Sequence, residues 1–174
     1  PKSSIKKGFE LLEKVRALDE QDPGYYQLMN QFLLLTRQHD RAITFGEQAV
    51  NLSPNNAGII YALATTLRYN GEHERALPLQ NKAIRLNPYP PSMYYMSLGH
   101  IYLFIERYEE AIQAYKKAIQ MNPDQFSSYM CLSAVYSRLG LKEEARAAMS
   151  ETLKLRPKLS VEYIKTLPFR HKRD

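Results

Sequence analysis

Apolar residues recur along this chain at offsets of 3, 4 and 7. Tyr26, Met29 and Leu33 set the pattern. Ile60, Leu63 and Leu67 repeat it, as do Tyr95, Leu98 and Tyr102, then Tyr129, Leu132 and Tyr136. These offsets put side chains on one face of an α-helix. After each apolar set comes a small one: Ala42 and Ala49, Ala76 and Ala83, Ala111 and Ala118, then Ala145 and Thr152. Short side chains two turns apart line one stripe and let a second helix approach closely. Polar or glycine-bearing breaks separate the two sets, as at Arg37–Asp40, Asn70-Gly71-Glu72, Glu106-Arg107 and Leu139-Gly140. The pattern predicts a first helix, a short turn and a second helix, four times over.

Proline punctuates the pattern. Pro54, Pro88, Pro123 and Pro157 lie 34, 35 and 34 residues apart, each just after a predicted second helix. Proline cannot continue the helical ladder and pushes the preceding residue towards extended backbone. Self-similarity at this period marks a repeat architecture.

In period, helix pairing and small/large/proline spacing, the chain resembles the tetratricopeptide repeat family. The resemblance implies an all-α fold, a right-handed superhelix of helical hairpins (an α-solenoid). It divides the chain into residues 23–56, 57–91, 92–125 and 126–159. The third unit carries the signature best, with Tyr95, Leu98, Gly99, Tyr102, Ala111, Tyr115, Ala118 and Pro123. Elsewhere the chain departs from it. Asn30, Ala64 and Ser133 replace the glycine, and Gly46 and Gln80 replace the large residue facing it. Looser contacts are the expectation at Gly46 and Gln80.

The register extends backwards. Gly8, Leu12 and Val15 fall on second-helix packing positions, so 1–22 reads as the second half of a preceding repeat, and the chain as part of a longer one. Beyond the last repeat, 160–174 reads as a capping segment and basic tail, one continuous array with the rest. The Leu159–Lys165 stretch is amphipathic and suited to covering an array end. The Thr166–Arg170 segment and the Asn87–Pro91 junction resemble the repeat regions of bacterial nucleotide-cyclase-linked proteins. That resemblance implies an oligomerising or intramolecular regulatory role beside a cyclase.

Most of the net charge of +6 sits in 154–174, where seven basic residues face Glu162 and Asp174. The repeats are nearly neutral, which argues against a broad nucleic-acid footprint. Contact of the basic tail with nucleic acid or membrane stands as an alternative role. No apolar run is long enough to span a membrane. Cys131 is the single cysteine, which excludes an intrachain disulfide framework and favours a reducing, cytoplasmic setting. The four histidines are scattered, without metal-ligand spacing, and there is no phosphate-cradling glycine loop. No catalytic role, metal or cofactor is expected.

The family resemblance implies that first helices line a concave groove. Carried over residue by residue, the groove offers Gln27, Leu28, Gln31, Leu34 and Leu35 from the first unit. The second offers Tyr61, Thr65, Arg68 and Tyr69. The third offers Met93, Met96, Ser97, His100, Leu103 and Phe104, and the fourth Met130, Cys131, Ala134, Ser137 and Arg138. Gln27, Gln31, Met93 and Ser97 stand where chaperone-binding members use Lys, Asn, Lys and Arg, so no carboxylate clamp of that kind is expected. Methionine and tyrosine suit adaptable contact with a peptide or amphipathic helix of a protein partner. Tyr61, Tyr69, Met96, His100, Phe104 and Met130 form the expected contact core, with Arg68 and Arg138 placed for acidic residues. Self-association through the groove or a terminal helix is the competing expectation.

Overall fold

A computed structural model describes residues 2–159. All regular structure among them is helical: α1 (Lys2–Leu18), α2 (Pro23–Leu35), α3 (His39–Leu52), α4 (Ala57–Asn70), α5 (His73–Leu86), α6 (Ser92–Phe104), α7 (Tyr108–Met121), α8 (Phe126–Arg138) and α9 (Lys142–Leu155). Two compact units divide the chain between Leu86 and Asn87. The first holds the hairpins α2–α3 and α4–α5, with α1 packed on α2. The second holds α6–α7 and α8–α9.

Local chemistry sets the helix limits. Asp22 and Asn56 cap α2 and α4, their side-chain oxygens accepting from the backbone N–H of Gly24 and Gly58. This satisfies donors that have no partner inside the helix. Within each hairpin the turn passes through one residue of positive φ: Arg37 (60°), Gly71 (85°), Glu106 (62°) and Gly140 (75°). Glycine adopts this geometry without a Cβ clash, whereas Arg37 and Glu106 hold it under strain. After α3, α7 and α9, the residue before proline leaves helical geometry, and its N–H still donates into the last turn: Ser53 to Ala49 O, Asn122 to Ala118 O and Arg156 to Thr152 O. One proline breaks this pattern. Pro78 lies inside α5, on its exposed side.

The small residues are the seams of the hairpins. Ala42, Ala49, Ala76, Ala83, Ala111, Ala118 and Thr152 are fully buried, and Ala145 nearly so. In the first unit Tyr25, Met29, Leu33 and Ala42 form a core, against which Phe9, Leu12 and Val15 of α1 pack. The Phe9 and Phe32 rings meet edge to face at 4.8 Å. In the second unit Ala111, Tyr115, Leu132, Val135 and Ala148 form the core.

The expectation of looseness at Gly46 and Gln80 is corrected. Gln80 and Ala64 are completely buried. At Gly46 the space belongs to Asn30, whose Nδ2 donates to Ala42 O and to Thr66 Oγ1, both at 2.8 Å. A Cβ on Gly46 would sit 2.8 Å from that nitrogen and 2.9 Å from Leu63 Cδ1. In the third repeat the sizes are reversed: a Cβ on Gly99 would meet the Tyr115 ring at 2.7 Å. Ser133 repeats part of the Asn30 solution, donating to Ala145 O at 2.8 Å.

Candidate functional site

On α4, residues Tyr61, Thr65, Arg68 and Tyr69 share one face, spaced by four, three and one residues over two turns. The tyrosines are half-buried. Arg68 is only 6% exposed, and its guanidinium lies 4.1 Å from the centre of the Tyr69 ring. Its Nε and the Thr65 Oγ1 are both buried without a hydrogen-bond partner. The candidates of α2 divide: Leu34 packs on the core, while Leu28, Gln31 and Leu35 are exposed and Gln27 half-buried.

In the second unit α6 presents Met93, His100 and Phe104 at offsets of seven and four, hence along one face. Met93 and Phe104 are about half exposed, 47% and 48%. Met96 is turned inwards. It packs on the Tyr115 core, and its Sδ accepts from Gln125 Nε2 at 2.8 Å and Ser127 Oγ at 3.2 Å. Ser97 is fully buried and Leu103 packs on the core. From α8, Met130 is half-buried, whereas Ala134, Ser137 and Arg138 are exposed.

His100 links α6 to α8. Its Nδ1 lies 2.8 Å from Met96 O, and its Nε2 lies 3.3 Å from Cys131 Sγ. A carbonyl oxygen can only accept, so Nδ1 carries the proton and Nε2 presents a lone pair to the thiol. The ring also stands edge-on to Tyr115, with centroids 5.6 Å apart. Gln125, Ser127 and the Cys131–His100 pairing carry no signal in a periodicity reading, because they depend on which helices become neighbours.

Among the described residues no group of three His, Cys, Asp or Glu side chains could hold a metal, and no helix is long and apolar enough to cross a membrane. The expected cap and basic tail, and the Thr166–Arg170 segment, lie outside the described residues.

A family model described as TPR repeat matches residues 99–140. Residues 99–140 thus match the tetratricopeptide repeat pattern. A second model, described as subunit 3 of the anaphase-promoting complex or cyclosome, matches residues 36–118. The chain is 25% identical to the BBSome complex member BBS4 of Bos taurus over 154 residues, 88% of this chain and 29% of that protein. It is 32% identical to the uncharacterized protein ycf37 of Cyanophora paradoxa over 129 residues, 74% of this chain and 73% of that one. Among solved structures it resembles YrrB, described as a TPR protein with an unusual peptide-binding site. The TM-score is 0.75 at 17% identity, covering 95% of this chain and 85% of that one. This likeness shows the fold, an all-helical repeat of the α-solenoid class. The chain spans less than a third of the BBS4 protein it matches.

Proposed function

We propose that this chain is a non-catalytic protein-interaction module, which takes an extended peptide or a helix of a partner against the first-helix faces of its repeats. One observation carries the reading. α6 leaves Met93 and Phe104 half exposed on the face that also bears His100, although the rest of that helix is largely withdrawn from water. Apolar side chains aligned on one face gain from being covered, and a helical or extended segment has the matching periodicity. The peptide-binding description of YrrB and the complex membership of BBS4 support the reading by analogy of fold and family.

The test is a capture experiment from the source cell's lysate, with the chain and a Met93→Glu/Phe104→Glu variant as baits. A protein held by the chain and released by a variant of unchanged melting curve is the expected result. Equal capture by both would overturn the assignment of this face.

A further inference from the structure

Among the described residues, the buried Arg68 is a cation with no carboxylate paired to it. Withdrawing a guanidinium from water is costly unless an anion and hydrogen bonds replace the solvent. Tyr69 covers one face of the group. Stacking engages the flat face only and leaves the in-plane N–H donors to be matched. The acidic residue nearest in sequence, Glu72, is committed elsewhere, accepting from Asn70 Nδ2 and pairing with Arg75. Arg75 also takes Glu47, at 2.7 Å.

A second orphan lies beside it. Thr65 precedes Arg68 by three residues on the same face, and its buried Oγ1 is also unmatched. The contrast with Thr66 is instructive. That hydroxyl donates back to Ala62 O at 3.1 Å and accepts from Asn30, and so is satisfied. Two unmatched donors, one charged, therefore lie next to each other on α4, between Tyr61 and Tyr69.

We propose that this face of α4 is a carboxylate-binding site, in which Arg68 and Thr65 take the Asp or Glu side chain of a partner segment. The guanidinium fork matches the two oxygens of a carboxylate, and the threonine hydroxyl can donate to one of them. Charge selects the ligand. The site supplies one positive charge, which a carboxylate neutralises, whereas a phosphate dianion would leave excess negative charge in a desolvated place. The site differs in position from the clamp that Gln27, Gln31, Met93 and Ser97 fail to form. The protein source of the carboxylate rests on the interaction reading above; the site itself does not.

The test follows the Arg68 Nε–H resonance of the whole chain by NMR, assigned through its loss in Arg68→Met. Sodium acetate, sodium phosphate and sodium chloride are titrated at matched ionic strength. A saturable shift with acetate, stronger than with phosphate and absent with chloride, is expected. Thr65→Val should weaken the acetate response by about tenfold, the effect of one hydrogen bond to a charged group. No saturable shift, or one common to all three salts, would overturn the site; tighter phosphate would overturn the carboxylate assignment. Arg68→Met is also expected to melt higher than the parent in acetate-free buffer, because an unmatched charge is gone; a lower melting temperature would mark Arg68 as structural. Acetate needs no partner, so the two proposals fail separately. Acetate binding with no groove-dependent capture leaves this site standing. A captured partner indifferent to Arg68→Met removes it from recognition.

Discussion

The Asn30 amide occupies the space that a side chain at Gly46 would need, 2.8 Å from where its Cβ would stand. The same helix–helix contact in the third repeat is made by Gly99 against Tyr115 with the sizes exchanged. Gly46→Tyr alone should therefore destabilise by overpacking, by about 1–3 kcal/mol. Adding Asn30→Gly should recover a large part of that loss by recreating the Gly99–Tyr115 arrangement. Urea unfolding of the two single variants and the double variant measures the coupling. Simple additivity would count against the exchange of sizes.

Arg37 and Glu106 hold positive φ where the second and fourth repeats have Gly71 and Gly140. Arg37→Gly and Glu106→Gly should each stabilise by about 0.5–1 kcal/mol, the clash relieved exceeding the added freedom of the unfolded chain. Gly71→Ala should shift the denaturation midpoint the other way.

Met96 and Phe104 lie on one helix but face different surroundings. Met96→Glu puts a charge against the Tyr115 core and removes a sulfur acceptor, and a loss of about 2–4 kcal/mol is expected. Phe104→Glu, at a position 48% exposed, should leave the melting temperature within a few degrees of the parent. Thermal melts of the pair decide whether the two positions differ in this way.

The lone pair of His100 Nε2 is placed to receive the proton of Cys131 Sγ, 3.3 Å away. Alkylation by iodoacetamide at neutral pH should be several-fold faster in the parent than in His100→Gln, since the thiolate is the reacting form. Cys131 is the chain's single cysteine, so mass spectrometry reads one site. Equal rates would show the imidazole does not assist.

Burial pushes the Glu72 carboxyl up, but the Asn70 amide and the Arg75 guanidinium outweigh it and hold it below its ordinary value. Such a group adds stability above its unfolded pKa and loses that contribution as pH falls through the lower folded value. The stability gap between parent and Glu72→Gln should therefore be widest near neutral pH and close as the solution is acidified. Denaturant titrations across that range follow it.

Much of the fold was legible because helix pairing leaves a periodic trace. The alanine seams and the prolines follow from rules that act over a single turn or helix. The Asn30–Gly46 contact was not legible as a pair: each residue alone departs from the family pattern, and only their meeting in space explains both. The site was legible as a set of faces but not in its detail. Helical spacing puts Met96 and Phe104 on the same helix, while tertiary packing turns one inwards and leaves the other in water. Arg68 reads as a groove arginine placed for an acidic residue, but its burial is not legible, and Cys131 acquires its neighbour only when α6 and α8 are brought together.

Pro78 adds a kinetic feature to α5. Having no amide hydrogen, it cannot bond back to Glu74 O, so one rung is missing where the first turn joins the rest of the helix. The turn beginning at His73 can thus open and close on its own, without unzipping the turns beyond. In hydrogen exchange α5 should show a fast-exchanging beginning and a slow remainder, with the boundary at a residue that has no signal of its own.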